Sequence, residues 1–512
     1  MRKYLHDEKR KVKLTVACSE FDHWDEAKHN EELRFGGADV LCLIVVMSHD
    51  EDDIRMTCAA LEMIFRGSAS YIHSAFDKVA ASLIPRLLQI LIMCEKKMLK
   101  FPDKNILNIT KTLTYFSRIP ELRSSLGDFA GMMEALARVS TVQLTPHSRT
   151  CRMRLTANLA NCDYNKPHFL EVPGLIEAIL RIAALDSTDA AREYASNTLM
   201  DLAECRENQI PMCNNNKLLG TLVKLVVTES TPETREAAIT AIQNLAFCQE
   251  NRMRLVSFSS GIVLEALKKN LSADKNDKAR RRAAGALTNL ACEQTAEKLG
   301  NHRGLLDMLA IISSKDESTE VQSRASMALK KMATNITVKM SCYGVLLDAL
   351  VMASSSSHSS ALSVILRIKA RDPENRESMA RHPGVLDALA RICIAEDLPL
   401  NDRDHSMRAI MHLTNDNQNC KIMCQTFILN ALVVGASMDV KANEITESAI
   451  IALERLATEV SNREIMARHD GLLTAVAKAT EREAKPIASG KETSPRERLA
   501  KPLLMSLLVA MQ

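Results

Sequence analysis

Apolar positions along the chain form a pattern that returns at nearly constant spacing. An anchor residue is followed by apolar residues at helical intervals at Gly131 (GMMEALARV), Gly174 (GLIEAIL), Lys217 (KLLGTLVKLV), Gly261 (GIVLEALKK), Gly304 (GLLDMLAII), Gly344 (GVLLDALVM), Gly384 (GVLDALARI), Phe427 (FILNALVV) and Gly471 (GLLTAVAKA). Successive anchors lie 43, 43, 44, 43, 40, 40, 43 and 44 residues apart, which marks an internal repeat. About 27 residues after the anchors a second pattern closes on an apolar residue, as in RLTANLA (154–160), TAIQNLA (240–246), GALTNLA (285–291) and IALERLA (451–457), and predicts the end of a longer amphipathic helix. Asparagines follow at Asn208, Asn251, Asn375 and Asn462, where an amide suits the N-cap of a third, short helix. One unit is thus short helix, middle helix, long helix. None of these buries its apolar stripe alone, so neighbouring units must stack into one continuous core.

The pattern predicts an all-α chain of about ten units, clearest over residues 131–484. Residues 37–130 keep the phase in degenerate form: Ala38 (ADVLCLIVV) and Ser82 (SLIPRLLQIL) look like middle helices, and 55–65 and 106–116 like long ones. Residues 1–36 show no determined pattern, 485–497 read as a polar loop, and 498–512 as a helix capping the stack. The phase shortens once, between Lys331 and Arg367, where Ser354–Ser360 with its six serines reads as a surface loop.

Composition agrees with helix. Only 16 glycines, 14 prolines and 4% aromatic residues accompany 46% hydrophobic residues, which argues against a strand-rich or a disordered chain. A net charge of +3 gives no global field of the kind that attracts nucleic acid or membrane surfaces, so any charge that matters acts locally. Fourteen cysteines without a secretory leader point to a reducing, intracellular setting, the cytoplasm first and the nucleus second. The longest apolar stretch, Ile422–Met438, contains Gln425, Asn430 and Gly435, and makes a poor membrane span. Phosphate loops, dinucleotide fingerprints, HExxH and GxSxG motifs are missing, so the expectation is no enzyme, no cofactor and no small-molecule substrate. Cys162, Cys205 and Cys248 recur in phase and read as small buried packing residues. Cys420 and Cys424, with His412 nearby, fall short of a metal-ligand set.

Three-helix units near 42 residues, a glycine before the middle helix, and ALTNLA or AIQNLA closing the third together resemble the armadillo-repeat superfamily. The resemblance implies a right-handed α-α superhelix whose long helices line a concave groove, where an extended peptide lies along an asparagine ladder. Asn158, Asn244 and Asn289 occupy that ladder position. Taking each closing residue with those four and seven before it selects a narrow helical arc. In the first three clear units the arc is polar and nearly neutral: Cys151, Arg154 and Asn158, then Tyr194, Asn197 and Asp201, then Ala237, Thr240 and Asn244. The next five give Arg282, Gly285, Asn289; Arg324, Met327, Lys331; Ser360, Ser363, Arg367; His405, Arg408, His412; and Ser448, Ile451, Arg455. Six of these fifteen are Lys or Arg and none is acidic, whereas the chain's average composition supplies about two of each sign.

A basic wall of this kind favours an extended acidic segment of a partner protein, as in the adhesion-and-signalling branch of the superfamily. The alternative is a nuclear-import-type cargo adaptor. Those proteins carry tryptophan four residues before the ladder asparagine, where this chain has Arg154, Thr240 and Gly285, and its one tryptophan is Trp24. Nucleic acid is disfavoured because few aromatics are available to stack bases.

Overall fold

The turn into the middle helix explains six of the seven anchor glycines, at 131, 174, 261, 304, 384 and 471, which take positive φ; Gly344 instead lies inside the helix Tyr343–Ala353. Gly174 and Gly304 are N-caps with φ of 82° and 70°, a left-handed backbone that a side chain resists. Where the repeat lacks the glycine, at Asn216–Val227, Asn215 takes the cap in an extended conformation and its side chain accepts from the Leu218 N–H at 3.1 Å. The computed structural model describes residues 51–64, 69–96, 102–138, 144–228, 231–335, 343–353, 360–438, 443–481 and 495–510, and no strand occurs among them. The readings for residues 1–36 and Ala38, and for most of the serine loop and the polar loop, lie outside the described residues.

The chain forms two units, Met1–Asn251 and Arg252–Gln512. In the first, the triplets include His168–Glu171, Leu175–Leu185 and Asp189–Glu204, followed by Arg206–Asn214, Asn216–Val227 and Pro232–Leu245. In the second they include Glu293–Asn301, Leu305–Lys315 and Thr319–Asn335, then Pro373–Arg381, Val385–Ile394 and Leu400–Leu413, then Asn417–Met423, Thr426–Ser437 and Asn443–Leu456. Within each unit long helices pack on one another: Asp189–Glu204 lies between Pro146–Ala160 and Pro232–Leu245, and Leu400–Leu413 between Ser360–Arg371 and Asn443–Leu456. The core alternates large and small residues, such as Leu199 and Leu202 with Ala195, or Ile410 and Leu413 with Ala409, all fully buried. Each buried leucine contributes roughly 1.5–3 kcal/mol, and the alanines let the helices approach closely.

The recurrent asparagines are not N-caps. Asp372 and Glu459 hold the N-cap positions before Asn375 and Asn462, and Cys205 the one before Asn208. Each asparagine sits three residues further in, buried, with its amide turned back on the long helix. Asn208 Nδ2 donates to the Leu202 carbonyl at 3.3 Å and to the Lys166 carbonyl of the preceding repeat at 2.9 Å. Asn165, Asn251 and Asn462 repeat this double bond, and Asn375 and Asn419 make the bond to their own long helix. Helix C-termini leave carbonyls without intrahelical partners, and a two-donor amide binds one of these while reaching a carbonyl near the short helix of the preceding repeat.

The cysteines also differ from expectation. Cys162, Cys205 and Cys248 are half-buried rather than core, and the Cys205 and Cys248 thiols donate to Glu207 and Glu250 at 3.0 Å. Upstream, Ala69–Glu95 is one helix that carries Pro85 and runs through the position where a middle helix should begin, because no glycine breaks it. At the other end Pro495–Val509 covers Asn443–Leu456 and Leu472–Glu481 with Ala500, Leu503 and Leu507.

Candidate functional site

In the first unit, the selected arc is more occupied by internal bonds than a bare ladder would be. Asn158 is half-buried and donates to Ser117 Oγ at 2.9 Å, and Asn244 Nδ2 lies 3.4 Å from the Met200 carbonyl. Asn197 is half-buried on the same face. Asp201 is 9% exposed; burial pushes its carboxyl up to about 6, although a hydrogen bond from Asn161 works the other way. Asn161 Oδ1 in turn accepts from Arg123 Nη1 at 2.8 Å, so the acid ends a relay of three side chains.

The second unit carries the basic residues. Arg324 is exposed and Arg282 half-buried, with the Arg282 Nε buried and lacking a hydrogen-bond partner. Asn289 is half-buried between them in sequence. Lys331 Nζ donates to the Thr288 carbonyl at 2.9 Å, and burial together with the Arg252 charge holds its ammonium below the ordinary lysine value. Arg455 Nη1 donates to the Met411 carbonyl at 2.8 Å. The closing position thus doubles as a tie to the preceding long helix, a role that Asn244, Lys331 and Arg455 share. An asparagine, lysine or arginine has further donors after one is engaged. Arg408 is different: it pairs with Asp404 at 2.9 Å and with Glu444, so its charge is answered within the fold. Acidic residues just outside the arc therefore offset part of the strip.

A denser positive cluster lies where helix ends meet. His412 and Arg367 are half-buried on adjacent long helices, and the Arg367 Nε is buried without a hydrogen-bond partner. Arg371 follows one turn later, exposed, at the end of Ser360–Arg371. Arg376, on the short helix Pro373–Arg381, folds back so that Nε donates to the Ala370 carbonyl at 3.2 Å and Nη2 to the Arg371 carbonyl at 2.9 Å. Burial, and then Arg376, Arg371, Arg455 and Arg367, hold the His412 imidazole below the ordinary histidine value; burial and Arg367 do the same to His405. Sequence periodicity missed Arg371 and Arg376 because they lie off the selected arc, one at a helix end and one on a different helix. The signal available was local: three arginines within ten residues, at 367, 371 and 376.

Elsewhere chemistry is sparse. Among the described residues no three His, Cys, Asp or Glu side chains are placed to hold a metal ion. Burial pushes Cys420 and Cys424 up to about 11, which keeps both thiols protonated. A cleft of about 260 Å³ in the first unit is lined by Leu170, Pro173, Ile176, Glu177, Asn215 and Leu218, away from the long-helix arc. No single described helix is long and apolar enough to cross a membrane; Asn417–Met423 and Thr426–Ser437 reach that length only together and bend by 100°.

No family model and no curated protein sequence matches the chain. Solved structures do. A structure of cadherin with β-catenin, concerned with a conserved phosphorylation switch in their interaction, is 14% identical, covers 94% of this chain and 97% of its own, and has a TM-score of 0.54. A crystal structure of an engineered protein is 17% identical over 91% of this chain and 98% of its own, with a TM-score of 0.51. A computationally designed armadillo-repeat protein for modular peptide recognition is 22% identical and spans 48% of this chain at a TM-score of 0.40. With its stacked three-helix units and left-handed turns into the middle helices, the chain has the all-α armadillo-repeat fold.

Proposed function

We propose that the chain is a non-catalytic protein-interaction scaffold, and that the unit Arg252–Gln512 holds an extended acidic segment of a partner protein along the arc of its long helices. The observation that carries this reading is the run of cations at Arg282, Arg324, Arg367 and Arg455, with no carboxylate at the same helical positions. The solved structures of similar fold include a cadherin and β-catenin interaction, which is consistent with a role in binding protein. Affinity distributed over shallow contacts is expected, since exposed charge pairs each contribute about 0.2–1 kcal/mol.

The test compares an extended peptide of alternating glutamate and serine with a matched lysine and serine peptide. In the variant Arg324→Glu/Arg367→Glu, affinity for the acidic peptide should fall by roughly tenfold while helical circular dichroism is unchanged. Lys331 is left alone because its ammonium holds the Thr288 carbonyl. Preference for the lysine peptide would favour an import-type adaptor instead. Equal affinity of variant and parent for the acidic peptide would refute the assignment.

A further inference from the structure

Leu400–Leu413 brings two imidazoles to the arc, His405 and His412, seven residues apart and hence on one face of the helix. Both are half-buried. Among the fifteen arc positions from Arg282 to Arg455, they are the two whose ordinary values lie near neutral pH. The helix packs against Ser360–Arg371, Pro373–Arg381, Val385–Ile394 and Asn443–Leu456, and the charges on each bear on whether an imidazole there can hold a proton. Ser360–Arg371 contributes Arg367, Arg371 and the buried Lys369. Pro373–Arg381 contributes Arg376, whose Nε donates to the Ala370 carbonyl at 3.2 Å, together with the exposed Glu374 and Glu377. Asn443–Leu456 contributes Arg455, which holds the Met411 carbonyl, with Glu447 and Glu454, while its Glu444 is taken by Arg408. Asp387 and Arg391 on Val385–Ile394 pair with each other at 2.9 Å and stay exposed.

On the histidines' own helix, Asp404 is engaged by Arg408 at 2.9 Å, Asp402 accepts from the Ser363 hydroxyl at 3.2 Å, and Arg403 donates to the Cys393 carbonyl at 3.0 Å. Asp372 and Asp416 stand at neighbouring helix starts, each accepting a backbone N–H. Counted as full charges, Asp372, Asp416 and Glu454 offset most of the arginines near His412, so no large surplus of either sign surrounds that ring. Burial comes first in disfavouring its charged form, and Arg376, Arg371, Arg455 and Arg367 follow. The same order holds at His405, where burial precedes Arg367, and Asp404 and Asp402 pull the other way. The buried His405 Nδ1 has no hydrogen-bond partner and lies 3.8 Å from Asp404, both of whose oxygens Arg408 occupies.

A half-buried imidazole without a free acid beside it gains most from a proton when an anion is brought to it, because a nearby opposite charge favours the charged form. Carboxylates laid along the arc are such anions. We propose that docking of an acidic segment is coupled to proton uptake at His405 and His412, so that the arc of Arg252–Gln512 grips more tightly as pH falls through the histidine range. The inference rests on the binding face proposed above. The coupling is reciprocal: the segment favours the charged imidazoles by as much as the charged imidazoles favour the segment. Well above the histidine range the rings are neutral with or without ligand, and the affinity is at its lower value. Well below it they are charged in both states and the affinity levels off at its higher value. Between the two, each docking event takes up protons.

Calorimetric titration of the full chain with the glutamate and serine peptide tests this at pH 8 and pH 6, at matched ionic strength and in pairs of buffers with different ionisation enthalpies. Affinity should rise roughly tenfold from pH 8 to pH 6, with the proton uptake read as a buffer-dependent heat. The peptide's own carboxyls, with an ordinary value of about 4.3, stay ionised over that interval. The variant His405→Gln/His412→Gln should remove the uptake and shrink the ratio of the two affinities to about twofold or less. It also separates the histidines from Asp201, whose carboxyl lies at about 6 in the other unit. A second readout needs no variant: adding the peptide at pH 7 should move the ring resonances of both histidines toward the protonated form. Equal affinity at the two pH values, or an uptake that survives the double variant, overturns the coupling. If the peptide binds with dependence on Arg324 and Arg367 but takes up no protons, the binding face stands and the coupling alone falls. If it binds at neither pH, both fall.

Discussion

Asp201 shows how one carboxyl can make stability depend on pH. Burial lifts it from 3.8 to about 6, so the folded chain keeps its proton over a range where the unfolded chain has released it. The stability this group contributes is present in full below its unfolded value and is lost as pH rises through about 6. Asp201→Asn keeps an acceptor for Asn161 and removes the buried charge. It is expected to raise stability by on the order of 1–3 kcal/mol at pH 8 and by little at pH 4, as read by denaturant unfolding at the two values. An equal effect at both would mean that ionisation is not the cause. The same contrast in environment applies to His412 with opposite sign. Burial and arginines disfavour its charged form, so it contributes stability above the ordinary histidine range that is lost as pH falls. Spacing alone placed Asp201 and His412 on the arc, but only the packing around them set their chemistry.

The asparagine tie between repeats is a property of elements. In Asn208 one amide bridges the last turn of its own long helix and a carbonyl of the preceding repeat. Asn208→Ala should cost roughly 1–3 kcal/mol by removing the bond to the Lys166 carbonyl and leaving the Leu202 carbonyl only the Cys205 N–H. Asn208→Asp should cost more, because a carboxylate of the same shape offers no N–H and faces two carbonyl oxygens. Urea unfolding ranks the three; an aspartate variant as stable as the parent would show that the amide donors are dispensable. The asparagine itself was visible in the sequence at the repeat spacing, and its phase was read correctly. Its role was misread because a helix N-cap and a residue three places further in differ by less than one turn, and the carbonyl it reaches lies 42 residues back along the chain. The middle-helix glycines were easier. A left-handed turn is a local requirement, written at Gly174 and Gly304 whatever packs nearby. The break expected in Ala69–Glu95 does not occur: the segment has neither a glycine nor a side-chain cap like Asn215 to turn the backbone.

At the scale of the whole chain, the apolar face of one helical unit is covered by the element that follows it. Pro495–Val509 covers the last long and middle helices with Leu503 and Leu507, while Met505 and Val509 remain 62% and 66% exposed. Removing residues 482–512 should lower the melting temperature and increase binding of a hydrophobic dye, because the apolar face of the final repeat is uncovered. A truncated chain that melts with the parent would show that the helix is an appendage. The distribution of charge is likewise a matter of the whole. A net charge of +3 over 512 residues conceals a basic run confined to Arg252–Gln512, part of which Asp404 and Glu444 offset.

The sequence by itself determined the helical class, the period, the order of helices in a unit and six of the left-handed turns, because each depends on residues within a few turns of one another. It also located the arc of the long helices, since helical geometry turns spacing into direction. Only the tertiary structure decided which of those side chains are free to meet a ligand. Lys331 and Arg455 bind carbonyls about one repeat away, Arg408 finds acids within and beyond its helix, and Arg371 and Arg376 arrive beside His412 from other elements. Such partnerships join residues distant along the chain, and no local pattern specifies them.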